Sequence, residues 1–342
     1  MARFVSLTAF AAITSILLIG LSFTGCAQDH AIVDATQAPA PQEASTDDAP
    51  STPYDADALP DDAYGQLVRY GRDLAVRTFA HIGPEVSDPS MRYAGNNMAC
   101  TSCHQGLGTK AFAMSWVGVS ATFPQYRARE DAISTLDDRI NGCLERSMAG
   151  KALPAGSREM KAFLAYMHFL SAGVPVGSRP DGLGLPKFTP PERRADPAAG
   201  QVVYQERCAL CHGPEGAGLP AGPPGTASGY VFPPLWGPDS FNDGAGMARL
   251  LMASAFIKTN MPLGAQQGAS VLTDNEAYDV AAFVLSHPRP SKSHLDRDSP
   301  ARWNKPVDSA FPPYVDEAPA DQHKYGPFQP LQEKMKALRD AR

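Results

Sequence analysis

The 342-residue chain is 43% hydrophobic, 8% aromatic and 19% charged, the composition of a globular protein long enough for two domains. Its formal net charge of -6 leaves no basic footprint, which excludes nucleic acid as a partner. Small anions remain open to it wherever arginines cluster locally.

In chain order, Arg3 comes first, before an apolar run from Phe4 to Phe23 that ends in the small residues Thr24, Gly25, Cys26 and Ala27, the pattern of an export signal. A run of about 20 residues also suits a membrane-spanning helix, but no basic stop-transfer cluster follows this one. The Gly25-Cys26 junction resembles a lipoprotein box, which makes Cys26 a lipidated first residue; cleavage after Ala27 is the rival. Residues 1–25 are therefore read as a signal peptide and the mature protein as periplasmic, with a lipid anchor where Cys26 is acylated. Residues 26–60, rich in Ala, Pro, Asp, Ser and Thr, read as a disordered tether, with structure beginning near Asp61.

Tyr64 to Arg72 opens an amphipathic helix, and Cys100-Thr-Ser-Cys103-His104 follows. Further on, the helix from Ala199 runs straight into Cys208-Ala-Leu-Cys211-His212. Both motifs are C-x-x-C-H, in which each thiol forms a thioether to a porphyrin vinyl group and the histidine becomes the proximal iron ligand. A redox dithiol or a zinc pair is the alternative, but neither needs a histidine directly after the second cysteine. Each half closes on a helix, Ser157 to Ser171 and Thr273 to Ser286, the second opening on a T-x-x-E capping box. Early helix, haem motif, long loop and closing helix, twice over, predict a mainly α protein of two tandem cytochrome c domains, each with a covalently attached haem c. The domains span 61–180 and 181–290, with a Pro- and Gly-rich linker near 179–195. Residues 291–342 read as a strap packed on the domains plus a short polar helix.

The sixth iron position decides between electron transfer and chemistry. In the second half Met261 lies 49 residues after His212 and 12 before Thr273, the place of a distal methionine; Met247 and Met252, on a helix expected from Ala245 to Ile257, are its rivals. In the first half Cys143 holds the matching place, 39 residues after His104 and 14 before Ser157. With Cys100, Cys103, Cys208 and Cys211 on porphyrin and Cys26 lipidated or removed, Cys143 has no intramolecular partner. It is a haem thiolate, an intermolecular disulfide, or a small buried hydrophobe that leaves the iron to Met148.

Its neighbours favour the thiolate. Thr135-Leu-Asp-Asp138 is a capping-box-like start, and on the helix it opens Arg139, Cys143 and Ser147 lie at i, i+4 and i+8 on one face, with Arg146 close by. Arg127 and Arg129 stand upstream. Residues 124–151 carry five basic and five acidic side chains, so any anion site here is made by a face and not by composition.

The stretches PQYRAR, TLDDRINGCLERSMAGKALP, FPPLWGPDSFNDGAGMARL, FIKTNMPLG and KYGPF, spread over residues 61–330, resemble those of the diheme thiosulfate dehydrogenases. The resemblance implies oxidation of two thiosulfate anions to tetrathionate, in some members reversed, with electrons passed to an external acceptor such as a small cytochrome or iron-sulfur protein. It implies a catalytic first haem between His104 and Cys143, a relay haem between His212 and Met261, and Arg129, Arg139 and Ser147 at the substrate. Some members carry lysine directly before the methionine; here that residue is Asn260, with Lys258 two earlier. Rival readings are a diheme electron carrier without a substrate and a Sox-type diheme subunit that attaches thiosulfate to a carrier protein.

Overall fold

The computed structural model describes residues 54–341; the leader, Cys26 and most of the tether lie outside the described residues. Order begins before Asp61. Residues Ala56–Ala58 form a 3-10 turn capped by the Asp55 carboxylate, and Ala56 is already buried. The cause is local: Arg72 pairs with Asp57 at 2.7 Å, and Arg69 pairs with Asp61 at 2.8 Å and donates to the Leu59 carbonyl. A composition averaged over 26–60 hides Asp57, and Asp61 stands just past that stretch.

Helix α1 (Ala63–Val76) starts on Asp62, whose carboxylate accepts from the Gly65 N–H at 2.8 Å. It buries Val68, Leu74 and Ala75 against α4, and α2 (Thr78–Ile82) continues it. A short antiparallel hairpin, β1 (Gln125–Arg127) and β2 (Ala132–Ser134), leads into α3 (Leu136–Arg146) and then α4 (Arg158–Phe169). The α1 and α4 helices cross at Gly71, where a Cβ would stand 2.0 Å from the Ala162 carbonyl oxygen.

The second half repeats the plan with α5 (Pro197–Arg207), α6 (Ala209–His212), a small hairpin of β3 (Leu219–Pro220) and β4 (Tyr230–Phe232), α7 (Leu250–Asn260) and α8 (Asp274–Ser286). Its crossing is at Gly200, where a Cβ would lie 2.0 Å from the Asp279 carbonyl oxygen. The helix expected from Ala245 is broken: Gly246–Ala248 is a 3-10 turn, and Arg249 is extended (φ -96, ψ 129). Arg249 is held there by Asp308, whose carboxylate also accepts the Leu251 N–H at 3.0 Å and so caps the new start.

The tail carries α9 (Ala320–Tyr325) and α10 (Gln329–Asp340). The last helix is amphipathic, not simply polar: Leu331 and Met335 are buried, and Phe328 just before it is fully enclosed. Phe328 and Leu331 share one core with Val68, Phe163 and Tyr166 of the first half and Leu250, Tyr278 and Leu285 of the second, while Tyr204, Trp236 and Val280 form a separate cluster. Each such side chain contributes about 1.5–3 kcal/mol by its burial, so the tail is part of the body. No described helix is long and apolar enough to cross a membrane.

Candidate functional site

The capping box read in the sequence forms. Asp138 accepts from the Thr135 N–H at 2.9 Å and from its hydroxyl at 2.8 Å, which fixes where α3 begins and hence which residues share a face. Gly142 sits within the helix, and on the face beside it Arg139 Nη1 donates to Cys143 Sγ at 2.9 Å. Burial alone would raise that thiol, but the charge of the Arg139 guanidinium and its hydrogen bond to the sulfur work against it and leave the thiol below its ordinary range. Met148, the rival ligand, is buried in the core cluster, its N–H on the Cys143 carbonyl at 2.9 Å. Ser147 caps α3, donating its N–H to the same carbonyl, and its own carbonyl accepts from Asn96 at 3.0 Å.

The donor sets fit two haems. None of Cys100, Cys103, Cys143, Cys208 and Cys211 is paired in a disulfide, so neither motif is spent on one. His104 Nδ1 donates to the Met114 carbonyl at 2.6 Å and His212 Nδ1 to the Pro233 carbonyl at 2.8 Å. Each bond fixes the tautomer that leaves Nε2 unprotonated, the form an iron ligand needs. Burial lowers the His212 pKa, which favours the same neutral form. Met114 reaches His104 from left-handed backbone (φ +56), a conformation costing about 1–2 kcal/mol in a non-glycine residue. Trp116 packs on the His104 ring at 4.7 Å between centroids. Met261 ends α7, partly exposed, its N–H on the Ile257 carbonyl; no hydrogen bond joins it to His212 among the described residues.

The arginines divide into two kinds. Arg146 is buried and committed, forked onto Asp298 at 2.7 and 2.8 Å with a further bond to the Gly244 carbonyl. Arg249 is likewise held by Asp308. Arg129 is different: its nearest carboxylate oxygen, on Asp298, is 3.9 Å from Nε. Burial, and then the repulsion of Arg146, lower its pKa to about 10. Its backbone carbonyl accepts the Ser299 N–H at 2.7 Å, so the tail also fixes where it stands. Cys143 and Arg139 thus meet directly, and Ser147 joins them through the backbone. Arg129 is placed beside Arg146, one helical turn along α3 from Cys143, and no hydrogen bond links it to the thiol among the described residues. Asp298 was invisible in the sequence, because nothing local marks an aspartate that pairs with an arginine 152 residues away.

A mainly α protein with two C-x-x-C-H sites, one of which faces a cysteine, defines a diheme c-type cytochrome with a chemically distinct first centre. The family described as SoxA/TsdA, cytochrome c domain, matches residues 91–176, and the one described as cytochrome c oxidase, cbb3-type, subunit III, matches residues 195–284. The chain is 46% identical over 237 residues to the thiosulfate dehydrogenase of Allochromatium vinosum, covering 68% of this chain and 82% of that one. It is 35% identical to the thiosulfate dehydrogenase of Thiomonas intermedia, covering 85% and 89%. The solved structure of thiosulfate dehydrogenase (TsdBA) from Marichromatium purpuratum superposes with a TM-score of 0.62 at 37% identity, covering 70% of this chain. This chain spans half the length of that one. The chain belongs to the thiosulfate dehydrogenase family, and it carries two covalently bound c-type haems.

Proposed function

We propose that this protein joins two thiosulfate anions into tetrathionate at the site around Cys143 and passes the two released electrons to an external one-electron acceptor. The observation that carries the reading is the Cys143 thiol held against the Arg139 guanidinium on α3, in the same half of the chain as the Cys100-Cys103-His104 motif. His104 and Cys143 would hold the first haem and His212 and Met261 the second, and the haems would supply the one-electron acceptor sites through which the electrons leave.

Arg139 offsets the charge of the Cys143 thiolate and presents guanidinium N–H groups to a sulfonate. Arg129, desolvated and without a carboxylate in hydrogen-bonding reach, supplies a second cation for a dianion. Two dianions repel, and cations in a partly buried site lower that barrier most. Ser147 offers a hydroxyl one turn from the thiol. In the first step the outer sulfur of thiosulfate bonds to Cys143 Sγ, and the pair loses two electrons. In the second, the outer sulfur of another thiosulfate attacks the bound sulfane sulfur. The Cys143–sulfur bond breaks, tetrathionate leaves, and the thiolate is restored with no net proton change. The leader from Arg3 to Phe23 supports a periplasmic location, and the intact mass of the mature chain distinguishes lipid on Cys26 from cleavage after Ala27.

The test is turnover of the pure holoprotein with thiosulfate and an artificial one-electron acceptor, without any partner protein. We expect one tetrathionate for every two electrons delivered, and loss of the product in Cys143→Gly with both haems still attached. Electron exchange without thiosulfate consumption marks a carrier, and a requirement for a carrier protein marks a Sox-type reaction; either result overturns the reading.

A further inference from the structure

Helix α7 ends in a buried amide. Asn260 is fully enclosed, and its Nδ2 donates to the carbonyl of Phe112, 148 residues away in the first half, at 3.0 Å. Its Oδ1 is buried without a partner. An amide that leaves its acceptor unpaired loses stability relative to an apolar side chain of the same shape, so its donor bond is the reason for its place. A second tether runs beside the first: Lys110 Nζ donates to the Ala265 carbonyl at 2.9 Å and to Gln105 Oε1 at 2.8 Å.

Both tethers join the same two segments. One, residues 110–114, is the segment that fixes the proximal histidine of the first centre, since Met114 holds His104 Nδ1. It is braced from its other side, the N–H groups of Phe112 and Met114 donating to the carbonyls of Gly182 and Gly184 at 2.8 and 3.0 Å. The other, residues 260–265, contains Met261. Between Met261 and Leu272 the one buried residue is Ala265, and Leu263 is 69% exposed. The methionine loop therefore has little packing of its own, and its anchorage lies at Asn260 and Ala265.

We propose that Asn260 is a positioning residue for the distal ligand of the second haem, and that its bond to Phe112 ties that ligand's loop to the segment that orients His104. The proposal rests on Met261 being that ligand. It makes the second centre depend on an interdomain contact: loosening the contact lets Met261 swing away and leaves its iron open to another donor or to water.

The experiment compares the oxidised holoproteins of wild type, Asn260→Leu and Asn260→Gln by near-infrared magnetic circular dichroism and by redox titration. Wild type is expected to show the charge-transfer band of methionine-ligated ferric haem. Asn260→Leu should lose at least half of that band and lower the second haem's potential, with far-ultraviolet circular dichroism and the first haem's signals unchanged. Asn260→Gln, which keeps a donor, should recover much of the band. A full band and unchanged potential in Asn260→Leu overturn the proposal alone; absence of the band in wild type overturns it together with the Met261 reading. Should Asn260→Leu not fold, Lys110→Met removes the parallel tether, and an unaltered band and potential there also contradict the proposal.

Discussion

At the scale of single residues, the site sorts its arginines by what else they hold. Arg139 contacts the Cys143 sulfur, so its replacement acts on chemistry more than on folding. A hydrogen bond to a charged group contributes about 1.5–3 kcal/mol, so Arg139→Leu should lower kcat/KM for thiosulfate by roughly ten- to a hundredfold. Steady-state kinetics on the pure protein checks this. Asp298→Ala does the opposite: it leaves the buried Arg146 guanidinium without its carboxylate and should destabilise the fold by about 3 kcal/mol. A denaturant midpoint that does not move in that variant would show the pair to be dispensable. The division was half legible in the sequence. Helical spacing put Arg139 beside Cys143, but it put Arg146 near the same face with equal right, and only the distant Asp298 distinguishes them.

At the scale of elements, the repeat is built on two helix crossings of the same kind. Gly200 lies in a helix, where alanine ordinarily gains about 1 kcal/mol over glycine. Here the added Cβ meets the Asp279 carbonyl at 2.0 Å, so Gly200→Ala should reverse that sign and cost about 2 kcal/mol, measured as a fall in Tm. The helices themselves were legible because their apolar spacing and caps are local: Thr273 with Glu276, Thr135 with Asp138. The β1–β2 hairpin was not, since three-residue strands of Gln-Tyr-Arg and Ala-Ile-Ser carry no alternation long enough to read. Nor was the break before α7, which Asp308 imposes from the tail.

The tail holds a second testable group. Lys305 is buried, donating to the carbonyls of Phe311 and Pro313, and burial brings its pKa down to about 8. The unfolded chain keeps that proton up to the usual lysine range near 10.5, so between pH 8 and 10 it binds more protons than the folded chain does. Stability should therefore rise with pH across that window through this group, and the cost of burying the charged form should be full below it. Denaturation midpoints at pH 8 and 10 check this. Lys305→Met should flatten the slope relative to wild type; an unchanged slope would contradict the assignment.

At the scale of the molecule, the two halves share a core and a set of polar contacts and do not sit apart as linked beads. Asn242 bonds the carbonyls at the end of α3, Asn96 donates to both Ser147 and Ser240, and Phe328 of the tail is buried with helices of both halves. The count from haem motif to closing helix made the two-domain plan legible, because each haem site is encoded within about 60 residues of sequence. The union of the domains was not legible: it rests on contacts across more than 90 residues and on a tail whose apolar face is only four turns long or less.

The central claim is that Cys143 is the sixth ligand of the first haem, at the place where thiosulfate reacts. An electron paramagnetic resonance spectrum of the oxidised holoprotein tests it most directly. The account predicts two low-spin species, one with the narrow g-spread of histidine and thiolate ligation and one of histidine and methionine, with the first lost in Cys143→Gly. A wild-type spectrum with no thiolate species, or one unchanged by removing Cys143, would contradict it.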